Sequence, residues 1–324
     1  MKIVFMGTPD FACEVLRSLN ENGHEITAVV TQPDKPKGRS KELVASPVKQ
    51  YAVANNIPVL QPVRIKAAEE VAQLKQYDAD IYVVAAFGQI LSKEILDIPK
   101  FGCINVHASL LPKYRGAAPI QWSIIDGEKV TGVTIVQMNE GLDTGDILTQ
   151  AEVEITDSDT GESLHDKLAA AGAQLCADTL KLIENGNVTP TPQNNDESCY
   201  AKMLTKAMGE IEFNKSAEVI ERCARALTPW PGSYTYRLGK TLKLFDIKVV
   251  ADSELGEYEI QSADNMKLST PGTVISAYGD KLLIRCGSGQ ISVGEIQPEG
   301  KKRMPVSDYL RGNAVHVGDR LGNY

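Results

Sequence analysis

The sequence predicts an α/β domain followed by a smaller β domain. Three observations lead there. Short apolar, branched runs alternate with helical patterns over the first half of the chain. A break rich in proline, asparagine and glycine lies near residue 190. Short alternating strands between glycine or aspartate turns follow it.

Taken in order, the runs at 3–7, 26–31, 81–87, 103–108 and 132–138 have the length and β-branched content of buried strands. Helical patterns fill 11–22, 47–55, 67–77 and 118–126 between them. Ser46-Pro47 is a strong helix start, with a serine cap and proline in the first turn. Strands alternating with helices imply a largely parallel sheet. A longer amphipathic helix, 163–184, closes this domain, which is placed at 1–188. Asn185-Gly186-Asn187, Thr189-Pro190-Thr191-Pro192 and Asn194-Asn195-Asp196 then read as a linker, placed at 189–207. The second domain, 208–324, begins with a helix at 216–226 and Pro229-Trp230-Pro231-Gly232. Its strands at 241–249, 273–276, 282–285 and 290–296 predict a small β-barrel. The chain shows no internal repeat and no low-complexity tract.

At 324 residues the chain is longer than one ordinary domain. Its 43% hydrophobic and 23% charged residues are those of a globular protein, and no apolar run approaches the roughly 20 residues of a membrane span. Met1 to Gly7 reads directly as a strand, so a cytosolic protein without a signal peptide is expected. The six cysteines form no CxxC pair, and none lies near a histidine at metal-ligand spacing, so neither zinc nor disulfides are expected. With a net charge of −8, nucleic acid can be bound only through a local basic patch.

Chemistry concentrates in four places. Asn105 and His107 lie two apart in a predicted strand and so share one face. A buried histidine alone is usually a satisfied core side chain. A carboxamide beside it favours chemistry in which a carbonyl oxygen gains negative charge and a proton moves. Second, Gly141-Leu142-Asp143-Thr144-Gly145-Asp146 follows the 132–138 strand. Ligands in open α/β sheets bind beyond the carboxyl ends of strands, which would bring Asp143 toward Asn105 and His107, with Asp146 as a decoy. Third, Gly7-Thr8-Pro9-Asp10 follows the first strand, but GxGxxG is absent and Pro9 removes an amide donor, which disfavours a dinucleotide. Fourth, Lys35, Lys37, Arg39 and Lys41 stud the segment after the second strand, a spacing suited to phosphate contacts. Lys301-Lys302-Arg303 is a weaker basic spot.

Together, Gly7-Thr8-Pro9-Asp10-Phe11, Asn105-x-His107, Ser109-Leu110-Leu111-Pro112, Tyr114 to Ile120, Gly141 to Asp146 and Pro229-Trp230-Pro231 resemble the methionyl-tRNA formyltransferase family over nearly the whole chain. The resemblance implies a Rossmann-like domain that binds 10-formyltetrahydrofolate and an OB-like barrel that helps hold tRNA. It implies formyl transfer to the amino group of methionine on initiator tRNA, without a metal, a membrane or an obligate protein partner. It places the catalytic residues at Asn105, His107 and Asp143, the folate segment at Ser109, Leu110, Leu111 and Pro112, and the tRNA contacts at Lys35, Lys37, Arg39 and Lys41. The nearest alternative is a folate-dependent formyltransferase acting on an amino sugar nucleotide. A glycinamide ribonucleotide formyltransferase, a non-catalytic RNA-binding protein and a nicotinamide-dependent dehydrogenase are more distant readings.

Overall fold

The alternation in the first half builds a seven-stranded sheet. The structure, a computed structural model, describes residues 1–37, 42–257 and 269–323. Two compact units emerge. One comprises Met1–Ile120, Lys129–Thr156 and Ser163–Lys202, and the other Gln121–Glu128, Asp157–Glu162 and Met203–Tyr324.

In chain order the first half gives β1 (Lys2–Gly7), α1 (Asp10–Glu21), β2 (Glu25–Val30), the hairpin β3 (Lys35–Lys37) and β4 (Glu42–Val44), α2 (Pro47–Ala54), β5 (Val59–Leu60), α3 (Ala68–Leu74), β6 (Ile81–Ala85), α4 (Lys93–Leu96), β7 (Cys103–His107), β8 (Arg115–Gly116), α5 (Pro119–Ile125), β9 (Val130–Gln137), β10 (Ile147–Glu154) and α6 (Gly161–Glu184). The sheet order is β10-β9-β7-β6-β1-β2-β5. Strands β5, β2, β1, β6 and β7 run parallel, as expected for helix-connected strands. Strand β9 runs antiparallel to β7, and β10 antiparallel to β9, so the sheet is mixed. The second of these was not visible in the sequence: ILTQAEVE is half-exposed along its length, as befits an edge strand.

Local signals explain much of this. The Ser46 hydroxyl accepts from Lys49 N at 3.1 Å and caps α2, with Pro47 in the first turn. Gly7 ends β1 for a steric reason. A Cβ there would lie 2.6 Å from Ala12 Cβ and 2.8 Å from Ala85 O. The glycine serves close helix and strand packing, which is consistent with the missing dinucleotide fingerprint. One core is built from Val4, Met6, Ala28, Val30, Tyr82 and Val84 of the sheet with Val71 and Leu74 of α3.

The segment read as a linker is tied to the first unit as far as Lys202, and 203–207 group with the second. Thr191 and Ile147 exchange backbone hydrogen bonds of 2.9 and 2.8 Å, and β11 (Tyr200–Ala201) pairs in parallel with β8.

The second unit holds α7 (Ala217–Ala226), β12 (Ser233–Arg237), β13 (Lys240–Val250), β14 (Val274–Tyr278), β15 (Lys281–Arg285), β16 (Gln290–Pro298) and β17 (Met304–Pro305), then a helix at Val306–Gly312. The antiparallel order is β12-β13-β16-β15-β14, with β17 beside β16. Among the described residues no ladder joins β12 to β14, so no closed barrel forms. The apolar face, with Leu242, Leu244, Ile284 and Ile296, is covered instead by Ala217 and Ile220 of α7 and by Val306 and Tyr309. Two early segments group with this unit: Arg222 Nε donates to Ile125 O at 3.2 Å and Arg225 Nη1 to Asp159 O at 2.6 Å.

Candidate active site

Strand β7 lies between β6 and β9, with Asn105 opposite Val136 and His107 opposite Thr134. The two-residue spacing puts both polar side chains on one face of the sheet, as the sequence predicts. His107 is buried at 6% exposure, and Asn105 is half-buried. Asp143 completes the group, its side chain 12% exposed. Asn105 Nδ2 donates to Asp143 Oδ1 at 3.4 Å, and His107 Nδ1 lies 3.7 Å from the same oxygen. On its other side, His107 Nε2 contacts Tyr114 O at 2.9 Å. A carbonyl can only accept, so Nε2 carries hydrogen. The two ring nitrogens therefore face two oxygens, the Tyr114 carbonyl within hydrogen-bond reach and the Asp143 carboxylate just beyond it.

Asp143 arrives by a different route from the one expected. Because β9 runs antiparallel, its carboxyl end lies beside the start of β7, with Gln137 opposite Ile104. The 138–146 loop therefore doubles back over the sheet face, closed by Gln137 N donating to Asp146 O at 2.8 Å. Gly145 permits the bend: a Cβ there would stand 1.6 Å from Gln137 O. Asp143 itself has φ of 52°, in the left-handed region, where a non-glycine residue needs support from its surroundings. Its Oδ2 accepts from Gly116 N at 2.9 Å. Asp146 is exposed and stands outside this cluster.

Ser109 to Pro112 are held by a polar knot. Ser109 is fully buried, and its hydroxyl donates to Lys113 O at 2.7 Å. Thr134 Oγ1 donates to Ser109 O at 2.7 Å and accepts from Leu111 N at 3.0 Å and Gln150 Nε2 at 2.9 Å. Gln150 also donates to Leu111 O at 2.9 Å. Leu111 is buried, while Leu110 and Pro112 remain half-exposed. Thr134 and Gln150 escaped the sequence reading, as did the contact of the Tyr114 carbonyl with His107. Their partners are mostly main-chain atoms distant in sequence, and such bonds leave no local pattern.

The basic segment begins as the β3–β4 hairpin. Lys35 is exposed opposite Val44, and Lys37 pairs along the backbone with Glu42. Arg39 and Lys41 lie outside the described residues. Asp34, the acid next to Lys35, is tied elsewhere: its carboxylate meets Lys49 Nζ at 2.6 Å and Gln61 Nε2 at 2.8 Å. The Lys49 ammonium, then the Gln61 amide, hold its carboxyl below the usual carboxylate range. In the second unit Arg303 lies over the Phe245 ring at 4.1 Å and pairs with Glu295, which neutralises one of the three cations of that basic spot. Among the described residues no cluster of three metal-ligating side chains occurs, and no helix is long and apolar enough to cross a membrane.

Comparison with known proteins bears on this geometry. The formyl transferase family model matches residues 1–180, and the formyl transferase C-terminal domain model matches 203–314. A methionyl-tRNA formyltransferase of Lachnospira eligens is 50% identical over 323 residues, covering 99% of this chain and all of that one. Another, from Agathobacter rectalis, is 48% identical and covers 98% of each chain. Among solved structures, an N-formyltransferase from Helicobacter canadensis in complex with folinic acid and dTDP-3-aminofucose aligns with a TM-score of 0.64. It is 20% identical, over 94% of this chain and all of that one. HypX from Aquifex aeolicus in complex with tetrahydrofolic acid aligns with a TM-score of 0.63 at 17% identity, over 96% of this chain and 47% of that one. These structural likenesses show a shared fold. Matched end to end by relatives alike at about half of their positions, the chain belongs to the methionyl-tRNA formyltransferase family.

Proposed function

We propose that this protein transfers the formyl group of 10-formyltetrahydrofolate to the free amino group of methionine on initiator methionyl-tRNA, in the cytoplasm, for translation initiation. Family membership supports the reaction and the acceptor. The observation that carries the mechanism is the convergence of Asn105 Nδ2 and His107 Nδ1 on one point, now held by Asp143 Oδ1. Two donors aimed at one oxygen fit a formyl carbonyl that gains charge during attack. The half-exposed apolar side chains of Leu110 and Pro112, which follow in the chain, suit the carrier's ring system.

The folate supplies the activated one-carbon unit. Asn105 donates an amide hydrogen bond to the formyl oxygen. His107, as imidazolium, donates a charge-assisted one. Asp143 yields Nδ1–H to that oxygen, favours the charged imidazole from beside it and, with water, carries a proton from the attacking amine to the departing nitrogen. The fixed Tyr114 carbonyl on Nε2 keeps the imidazole ring in place throughout. Lys35, Lys37, Arg39 and Lys41 meet acceptor-arm phosphates. The second unit helps hold the tRNA.

Acid-stable label from formyl-labelled folate should appear on methionyl-tRNA and not on uncharged tRNA. An amino sugar nucleotide offered with the same donor tests the rival acceptor. Label on the sugar and none on methionyl-tRNA would reverse the assignment.

A further inference from the structure

We propose that Gln193 is a positioning residue for Asp143, and that the strap from Thr191 to Ala201 is a built-in part of the active site. This rests on the catalytic reading of Asp143 given above. The Gln193 amide uses its full hydrogen-bonding capacity. Nε2 donates to Asp143 O at 2.9 Å and Gly145 O at 2.7 Å. Oε1 accepts from Arg115 Nε at 3.1 Å and Nη2 at 2.7 Å. With a guanidinium on one side and two carbonyls on the other, only one orientation of the amide satisfies every partner.

These bonds close a ring. Arg115 is followed by Gly116, whose N–H binds Asp143 Oδ2, and the Asp143 carbonyl returns to Gln193. The catalytic aspartate is thus gripped at its carboxylate from one side and at its main chain from the other. That grip matters because its backbone sits in the left-handed region and its loop carries glycines at 141 and 145. The strap is anchored independently of the amide. Arg115 N donates to Cys199 O at 2.9 Å, Tyr114 N to Cys199 Sγ at 3.1 Å and Ala117 N to Ala201 O at 2.9 Å. Removing the amide therefore releases the Asp143 loop and leaves the strap attached.

Gln193→Ala and Gln193→Glu are the test variants in the full chain. The glutamate is isosteric and keeps the Arg115 bonds, but it turns a carboxylate oxygen toward the two loop carbonyls. It carries the test if the alanine variant unfolds. Single-turnover formyl transfer at saturating folate and methionyl-tRNA should fall about ten- to a hundredfold, on the scale of a displaced catalytic group. KM for each substrate should stay within about twofold. In an Asp143→Ala background Gln193→Glu should have no further effect, because the carboxylate it positions is gone.

A Gln193→Glu rate within about twofold of wild type overturns the proposal. So does an equal loss in both backgrounds, or a change confined to KM. Asp143→Ala at the wild-type rate would instead defeat the catalytic reading itself.

Discussion

Asp143 Oδ1 stands where two hydrogen-bond donors meet, 3.4 Å from Asn105 Nδ2 and 3.7 Å from His107 Nδ1. Both distances are long for such bonds, so the donors are oriented without being satisfied. A substrate oxygen entering between them gains bonds that the resting site lacks. Replacing either donor should therefore depress the chemical step more than binding. Asn105→Ala and His107→Ala should each lower the single-turnover rate about 10²–10³-fold, roughly 3–4 kcal/mol. Asp143→Ala should cost a comparable factor if Asp143 carries the proton between the two nitrogens, as proposed. Rates near wild type for any of the three, measured with both substrates saturating, would remove that residue from the scheme. The shared face of Asn105 and His107 was legible because a strand's period of two is rigid and an Asn-x-His pair has little packing use. Gln193 was not: read locally it is one more polar residue in a proline- and asparagine-rich stretch, and two of its partners are carbonyls about fifty positions earlier in the chain.

Elements show where local pattern stops informing. The run VTGVTIVQ declares a buried strand, and β9 is one, but nothing in it declares direction. The 108–129 connection brings β9 back against β7, and the tight 138–146 reversal turns β10 back along β9. That orientation sends Asp143 back across the sheet face. The basic segment is the opposite case, for its charge was legible and its hairpin stem was not. Two three-residue strands are too short to produce a pattern. Asp34 is bound to Lys49 and Gln61, so it does not draw the neighbouring Lys35 away from a ligand. Neutralising Lys35, Lys37, Arg39 and Lys41 should weaken tRNA binding and flatten the slope of log K against log salt, by about 0.7 to 0.9 for each phosphate no longer neutralised. Folate affinity should be unchanged. A slope identical to wild type would mean that these cations meet no phosphate. The Asp34–Lys49 pair has its own pH signature. The carboxyl is held below its ordinary value, so the pair's stabilisation is present above the ordinary carboxylate range and is lost as pH falls through the lowered one.

Across the whole molecule, six unpaired thiols report on the folded state. Burial pushes Cys103, Cys176 and Cys286 up to about 12, whereas Cys199 is exposed on the strap. Cys103 and Cys176 belong to the first unit and Cys286 to the second. With an alkylating reagent, Cys199 should react first. Cys103, Cys176 and Cys286 should lag by at least about 10³-fold, because each must wait for an opening that costs roughly 5 kcal/mol or more. Mass mapping of the alkylated peptides checks the order, and early modification of Cys286 would show that the second unit opens easily. At this scale the sequence disclosed two bodies and a change of texture near residue 190. It did not disclose that residues 121–128 and 157–162 cluster with the later half, because α5 and α6 read as ordinary helices of the first domain.

Those two early segments bear on heredity. A gene fusion that exchanged everything downstream of Lys202 would bring in new counterparts of Arg222 and Arg225 but keep the old Ile125 and Asp159 carbonyls that they hold. The halves of this enzyme are interleaved along the gene, so they are expected to diverge in step and to resist being traded between lineages one at a time.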